Sequence, residues 1–186
     1  MEEDGGSEFC SSPAEEEEEE GSIPARSSYL AACRVCGVRP ASFLLPGTAL
    51  LLRHRGVGPR GAKVLALLLM SNTSVISLDL GDNWLLGGGA AAIAEMLEEN
   101  CCISAVDLSD NKMGTEGAKA FSAMLLENTT VVALQLSGNE FDDHAAKSLA
   151  DAIMANSKVE ILDVSYDRFG DKAGELLGVA VAENIG

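Results

Sequence analysis

Aromatic residues are scarce in this chain. One Trp, two Tyr and five Phe make 4% of 186 residues, while hydrophobic residues of every kind reach 47%. Any core must therefore be aliphatic, and the length suits one domain or one repeat array. Positive charge is also short: 13 Lys and Arg face 29 Asp and Glu, a net charge of −16. Binding a phosphate backbone needs a basic stripe, so this balance argues against nucleic acid as a partner. Long apolar runs are missing as well. The longest, Val64 to Met70, falls far short of the ~20 residues that cross a bilayer, and no membrane partner is expected. The N-terminus is acidic and lacks the basic and apolar regions of a secretory signal. Five cysteines make an odd count, which fits a reduced intracellular protein better than a disulfide framework. The compartment expected is the cytoplasm, with the nucleus as the alternative.

Catalytic chemistry finds little to work with. The two histidines, His54 and His144, stand without a phosphate loop or a nucleophile elbow. His144 falls at a helix start, Asp142-Asp143-His144, and reads as solvated. Cys33-x-x-Cys36 is a lone pair on a predicted helix, and Cys101-Cys102 are adjacent side chains badly placed to share one zinc. The cysteines therefore read as structural. No cofactor, metal site or enzymatic activity is expected.

The negative charge is unevenly spread. Residues 1–22 hold ten acids, among them the run Glu15 to Glu20, and no base. Such a run repels itself, and its Gly, Ser and Pro neighbours bring no apolar area to offset chain entropy, so 1–22 reads as a disordered, solubilising tail. Residues 23–46 read as an N-terminal cap. Arg26–Cys36 is predicted helical and is stopped by Gly37 and Pro40. The apolar piece Ala41 to Leu45 follows, ended by Pro46-Gly47.

From residue 47 the chain repeats itself every 28 residues, giving five units over 47–186. Four strand-like segments align without a gap: Val75 to Asn83, Ile103 to Asn111, Val131 to Asn139 and Val159 to Asp167. A weaker one, Leu50 to Arg55, precedes them. Asn72, Asn100, Asn128, Asn156 and Asn184 share one column. Gly61, Gly89 and Gly117 share another that becomes Ala145 and Ala173. Alternation at Leu78/Leu80, Val106/Leu108, Leu134/Leu136 and Leu162/Val164 marks short strands with one buried face. Asn83, Asn111 and Asn139 then turn inward, where an amide can satisfy unpaired backbone. Apolar residues at helical spacing, as in Ile93, Met96 and Leu97, fill the second half of each unit. The closing asparagines, such as Asn128, are expected in a left-handed conformation just past a helix end. Stacked units of this kind give an α/β fold: a curved solenoid with parallel strands on the concave side and helices on the convex side.

The pattern LxxLxLxxNxLxxxGxxxLxxxLxxN over residues 47–186 resembles the ribonuclease-inhibitor class of leucine-rich repeats. Tyr29 to Cys33, Gly37-Val38-Arg39-Pro40 and Leu52 to Ala62 resemble the leucine-rich repeat-containing protein 74 group more particularly. The resemblance implies a binding scaffold, and for some relatives a ciliary or axonemal location.

The informative surface is the strand face turned away from the core. Asp79, Asp107 and Asp163 fall in one column, with Gln135 between them, and Asp82 and Asp110 in the next. Strands lie about 4.8 Å apart, so Asp79, Asp82, Asp107 and Asp110 are expected to form a patch that repels itself and gives a structural role nothing. Trp84 stands in a polar column with Gly56, Lys112, Glu140 and Arg168 and is expected to be largely exposed, either as an interface hot spot or folded down over Leu86 and the loop. Asp79, Asp82, Trp84, Asp107, Asp110 and Asp163 are thus the candidate contacts for a basic protein partner. Two other functions fit the repeat class: activation of a small GTPase, and inhibition of a basic enzyme. The first needs a catalytic Arg or Asn on a loop that the sequence does not single out. The second sits poorly with so few aromatics. The last unit, Val159 to Gly186, carries no polar cap, so self-association through Leu177, Val181 and the strand at Ile161 is also expected.

Overall fold

Leu78, Val106 and Leu134 point one way from three successive short strands and are fully buried. Their neighbours on either side point out, which is the period-two pattern of a sheet with one covered face. The computed structural model describes residues 48–184, together with Ala31 and Arg34, both helical. Apart from those two residues, the expected tail 1–22 and cap 23–46 lie outside the described residues.

Five strand–helix units follow one another. They are β1 (Ala49–Leu51) and α1 (Gly58–Leu69), β2 (Ser77–Asp79) and α2 (Leu86–Glu99), and β3 (Ala105–Asp107) and α3 (Gly114–Glu127). The last two are β4 (Ala133–Gln135) with α4 (Asp143–Ala155), and β5 (Ile161–Asp163) with α5 (Asp171–Glu183). The strands form one parallel sheet in chain order. Its register moves one whole unit at a time: Ser77 opposes Ala105, Val106 opposes Leu134, and Gln135 opposes Asp163. Each helix packs on the helix of the next unit. The core lies between the two layers, and its members come from the same column of every repeat: Leu65, Ile93, Phe121 and Leu149. Burying one such side chain contributes about 1.5–3 kcal/mol, and most of the helices' stability comes from this face.

Small residues set how closely the helices approach. A Cβ on Gly89 would come within 3.2 Å of the Pro59 backbone and 3.3 Å of the Ala62 side chain, and one on Gly117 within 3.2 Å of Ala90. The glycine column is therefore a packing requirement, as its spacing suggested.

Two asparagine columns hold the turns. After each strand a buried amide reads backbone in two units at once. Asn111 accepts from the N–H of Asn83 at 2.9 Å and of Leu85 at 3.3 Å. Its Nδ2 donates to the carbonyls of Leu80, Leu108 and Ser109 at 2.9, 2.9 and 3.0 Å. Asn83 and Asn139 make the same donations in their own units. The second column closes each helix, and here the expected left-handed conformation is wrong. Asn100, Asn128, Asn156 and Asn184 are extended, with φ between −85° and −61°. Each of the first three uses Oδ1 to accept two N–H groups just ahead of it, as Asn100 does from Cys102 and Ile103 at 2.9 Å. Its Nδ2 reaches back to the preceding unit, from Asn100 to Leu69 at 2.7 Å and from Asn128 to Leu97 at 2.6 Å. The side chain makes the turn, so the backbone need not enter the left-handed region.

The left-handed residues sit elsewhere, in the loop that leads from strand to helix. His54, Asp82, Asp110, Gly138 and Tyr166 fall in one column with φ between 49° and 69°. Trp84, Lys112 and Glu140 follow two residues later with φ of 56°, 52° and 64°.

Candidate functional site

The side chains on the open face of the sheet are fixed by the register just described. Leu51, Asp79, Asp107, Gln135 and Asp163 form one row across the five strands. Asp82 and Asp110 belong to the parallel row in the loops, beside Trp84 and Lys112. The structure therefore brings Asp79 and Asp107 together on adjacent strands, and leaves Asp163 two strands away beyond Gln135.

Asp79 and Asp107 are not left to repel each other. Arg53 extends over the sheet from the end of β1, donates from Nε to Asp79 at 3.3 Å, and pairs through Nη2 with Asp107. Gly81 makes this reach feasible, because a Cβ there would collide with the guanidinium. Burial disfavours the charge on Arg53, but Asp107 and Asp79 outweigh it and hold the guanidinium above its ordinary pKa. The carboxylates also serve the backbone. Asp79 accepts from the N–H of Gly81 at 2.9 Å, Asp107 from Ser109 at 2.9 Å, and Asp163 from Ser165 at 2.9 Å. The expectation that a structural role gains nothing from this row is therefore overturned: each aspartate caps the end of its own strand.

Among the described residues no arginine or lysine pairs with Asp163, which is half-buried. The Ser165 hydroxyl, then its N–H, hold its carboxyl below the usual range against the opposing effect of burial. In the loop row, His54 Nδ1 lies 2.6 Å from Asp82. Asp110 is exposed and packs over Gly138, where a Cβ would strike its Oδ1. Trp84 is 56% exposed, as its polar column suggested, and Lys112 Nζ lies 4.0 Å from its ring centroid. That cation covers one face of the indole, which stays more than half exposed. His144 is exposed. Cys101 and Cys102 are free thiols at the turn after α2.

Column reasoning missed Arg53. Its signal was present as a single large cation in a column otherwise made of Gly81, Ser109, Ser137 and Ser165. Asp167 was also passed over, at a position where three earlier units carry asparagine. Among the described residues no helix is long and apolar enough to cross a membrane.

One sheet of parallel strands, helices on its other side and asparagines repeating at 28-residue spacing in the turns define the fold as a leucine-rich-repeat solenoid. The Leucine Rich repeat family model matches at residues 71–94, 99–122 and 127–150. Over 58 residues the chain is 48% identical to human Leucine-rich repeat-containing protein 74B, a match covering 30% of this chain and 15% of that protein. In fold it is similar to leiomodin-1 actin-binding site 2, with a TM-score of 0.60 and 19% identity over 74% of this chain and 80% of that one. The tropomodulin C-terminal domain of Caenorhabditis elegans gives a TM-score of 0.60 at 12% identity, over 86% of this chain and 92% of that one.

Proposed function

We propose that this protein is a non-enzymatic interaction scaffold whose strand face and adjoining loops bind a basic segment of another protein. The observation that carries the reading is the division of charge on that face. Arg53 takes up Asp79 and Asp107, while Asp110 and Asp163 carry no cationic partner among the described residues. A basic side chain arriving at Asp110 or Asp163 completes a pair that the fold leaves open. Trp84, held on one side by Lys112, offers the apolar area beside it. Leiomodin-1 actin-binding site 2 has the same fold and is named for binding a protein, which supports a protein partner here. In this reading Asp163, Asp110 and Trp84 are the contacts, Asp82 is shared with His54, and Asp79 and Asp107 position the strand ends.

The test is binding of a fluorescent Lys/Arg-rich helical peptide to the full chain at low and at high salt. Affinity is expected to fall with salt, and Asp110→Asn with Asp163→Asn together to weaken it and flatten that dependence. Unchanged affinity in the double variant rejects the basic partner. A partner that still binds, but without salt dependence, keeps the scaffold and moves its recognition to Trp84.

A further inference from the structure

The turn after β5 breaks the pattern of the inner asparagine column. Three units carry Asn83, Asn111 and Asn139 there, and the fifth carries Asp167. One carboxyl oxygen does what the amide oxygen does in the other units. Asp167 Oδ1 accepts from the N–H of Asn139 at 2.7 Å and of Phe141 at 3.1 Å. The other oxygen takes the place of Nδ2, and there the substitution changes the chemistry. Every Nδ2 in the column donates to three carbonyls, found 31, 3 and 2 residues earlier in the chain, at 2.7–3.3 Å. Carried over to Asp167, those offsets correspond to the carbonyls of Leu136, Val164 and Ser165. An ionised Oδ2 has no hydrogen to give them. It is buried and has no hydrogen-bond partner among the described residues.

We propose that Asp167 is a proton-operated rung of the ladder. With the carboxyl protonated, its O–H donates to a carbonyl as the missing amide would, and the fifth unit locks onto the fourth. With the carboxyl ionised, lone pairs face lone pairs and the fifth unit loosens. The surroundings favour the proton. Burial is the first cause and pushes this carboxyl up to about 6, against the N–H groups of Phe141, Asn139 and Glu140, which stabilise the anion, with Asp163 on β5 adding its negative charge. The nearest basic group along the chain, Arg168, is spent on Glu140 of the preceding loop at 3.2 Å. Asp142 and Asp143 at the start of α4, and Asp171 at the start of α5, are acids and offer Asp167 no counter-charge. Tyr166 is 94% exposed. Among the described residues no cation pairs with Asp167.

The sign follows. A carboxyl whose folded-state pKa is raised binds its proton more tightly in the folded chain, so its contribution is greatest in acid. That contribution declines as pH rises from the unfolded value, about 4, through 6. The carboxylate carbons of the full chain, followed by NMR as a function of pH, are expected to show one aspartate titrating near 6 that is absent from Asp167→Asn. Asp167→Asn restores the amide without changing shape. Hydrogen exchange of residues 161–184, corrected for intrinsic rates, is expected to speed by about tenfold from pH 4.5 to 7.5 in the natural chain and to stay flat in the variant. An Asp167 that titrates near 4, or the same pH profile of exchange in both proteins, overturns the proposal. Sequential assignment of the Asp167 carboxyl carbon in the natural chain decides the matter even if the variant misfolds.

Discussion

Replacing Asn111 by alanine removes an amide that is wholly buried and bound at both ends. Two N–H groups, of Asn83 and Leu85, lose their acceptor, and three carbonyls, of Leu80, Leu108 and Ser109, lose a donor. A buried donor left without a partner costs about 1–3 kcal/mol. The carbonyls have second lone pairs and other bonds, so they add less. The sum is expected to be about 3–4 kcal/mol, at the severe end for a single substitution. Urea unfolding followed by circular dichroism measures it. With an m-value of about 2 kcal/mol/M for a chain of this size, the midpoint is expected to fall by about 1.5–2 M. Asn111→Asp is the companion variant: it keeps the two acceptor bonds and loses the three donations, so its cost is expected to grow from acid to neutral pH. A midpoint shift below about 0.5 M for Asn111→Ala would refute the view that the ladder carries the turns.

Gly117→Ala is expected to destabilise by about 1–3 kcal/mol, because its Cβ would fall 2.4 Å from that of Met113. Gly174→Ala, with nothing within 4 Å, is expected to gain up to about 1 kcal/mol of helix stability, and calorimetry of the two variants tests the contrast. Arg53→Met is expected to change stability by no more than about 1 kcal/mol while strengthening a basic peptide and steepening its salt dependence, read by anisotropy. Fluorescence of the single Trp84 is expected to be that of a solvated indole, quenched by acrylamide, and to shift to the blue when a partner covers it. Asp163, held low by Ser165, contributes stability that is present above its unfolded pKa of about 4 and is lost as pH falls through the lower folded value. Ser165→Ala is therefore expected to flatten the melting temperature between pH 2 and 5.

The repeat was legible because each unit buries the same columns, and a column shows itself whenever 28-residue spacing is respected. Leu78, Ile93 and Asn83 needed no coordinates to be assigned their roles. What escaped was of two kinds. The first is backbone conformation at the closing asparagines. Asn100 is as good at making a turn with its side chain as at entering the left-handed region, and the sequence does not distinguish them. The second is reach. Neighbours one strand apart are read from a column, but Arg53 meets Asp107, 54 residues on and two strands across. Only an extended guanidinium passing over Gly81 makes that contact, and it turned an expected field of like charges into a partly neutralised one. The candidate contacts kept their positions in the fold, but their electrostatics depended on one residue from outside the column.

The bonds of the inner column also say how such a chain can change its length. Asn83 and Asn111 touch the preceding unit through the same atoms at the same offsets, and each offers its own N–H to the next rung. Excising residues 84–111 would join Asn83 to Lys112 and hand Asn83 to Asn139 Oδ1, with no rung left open. A duplicated stretch of the same length could be spliced in on the same terms. Between equivalent rungs, 28 residues is therefore the step by which this ladder can lengthen or shorten and still close its bonds.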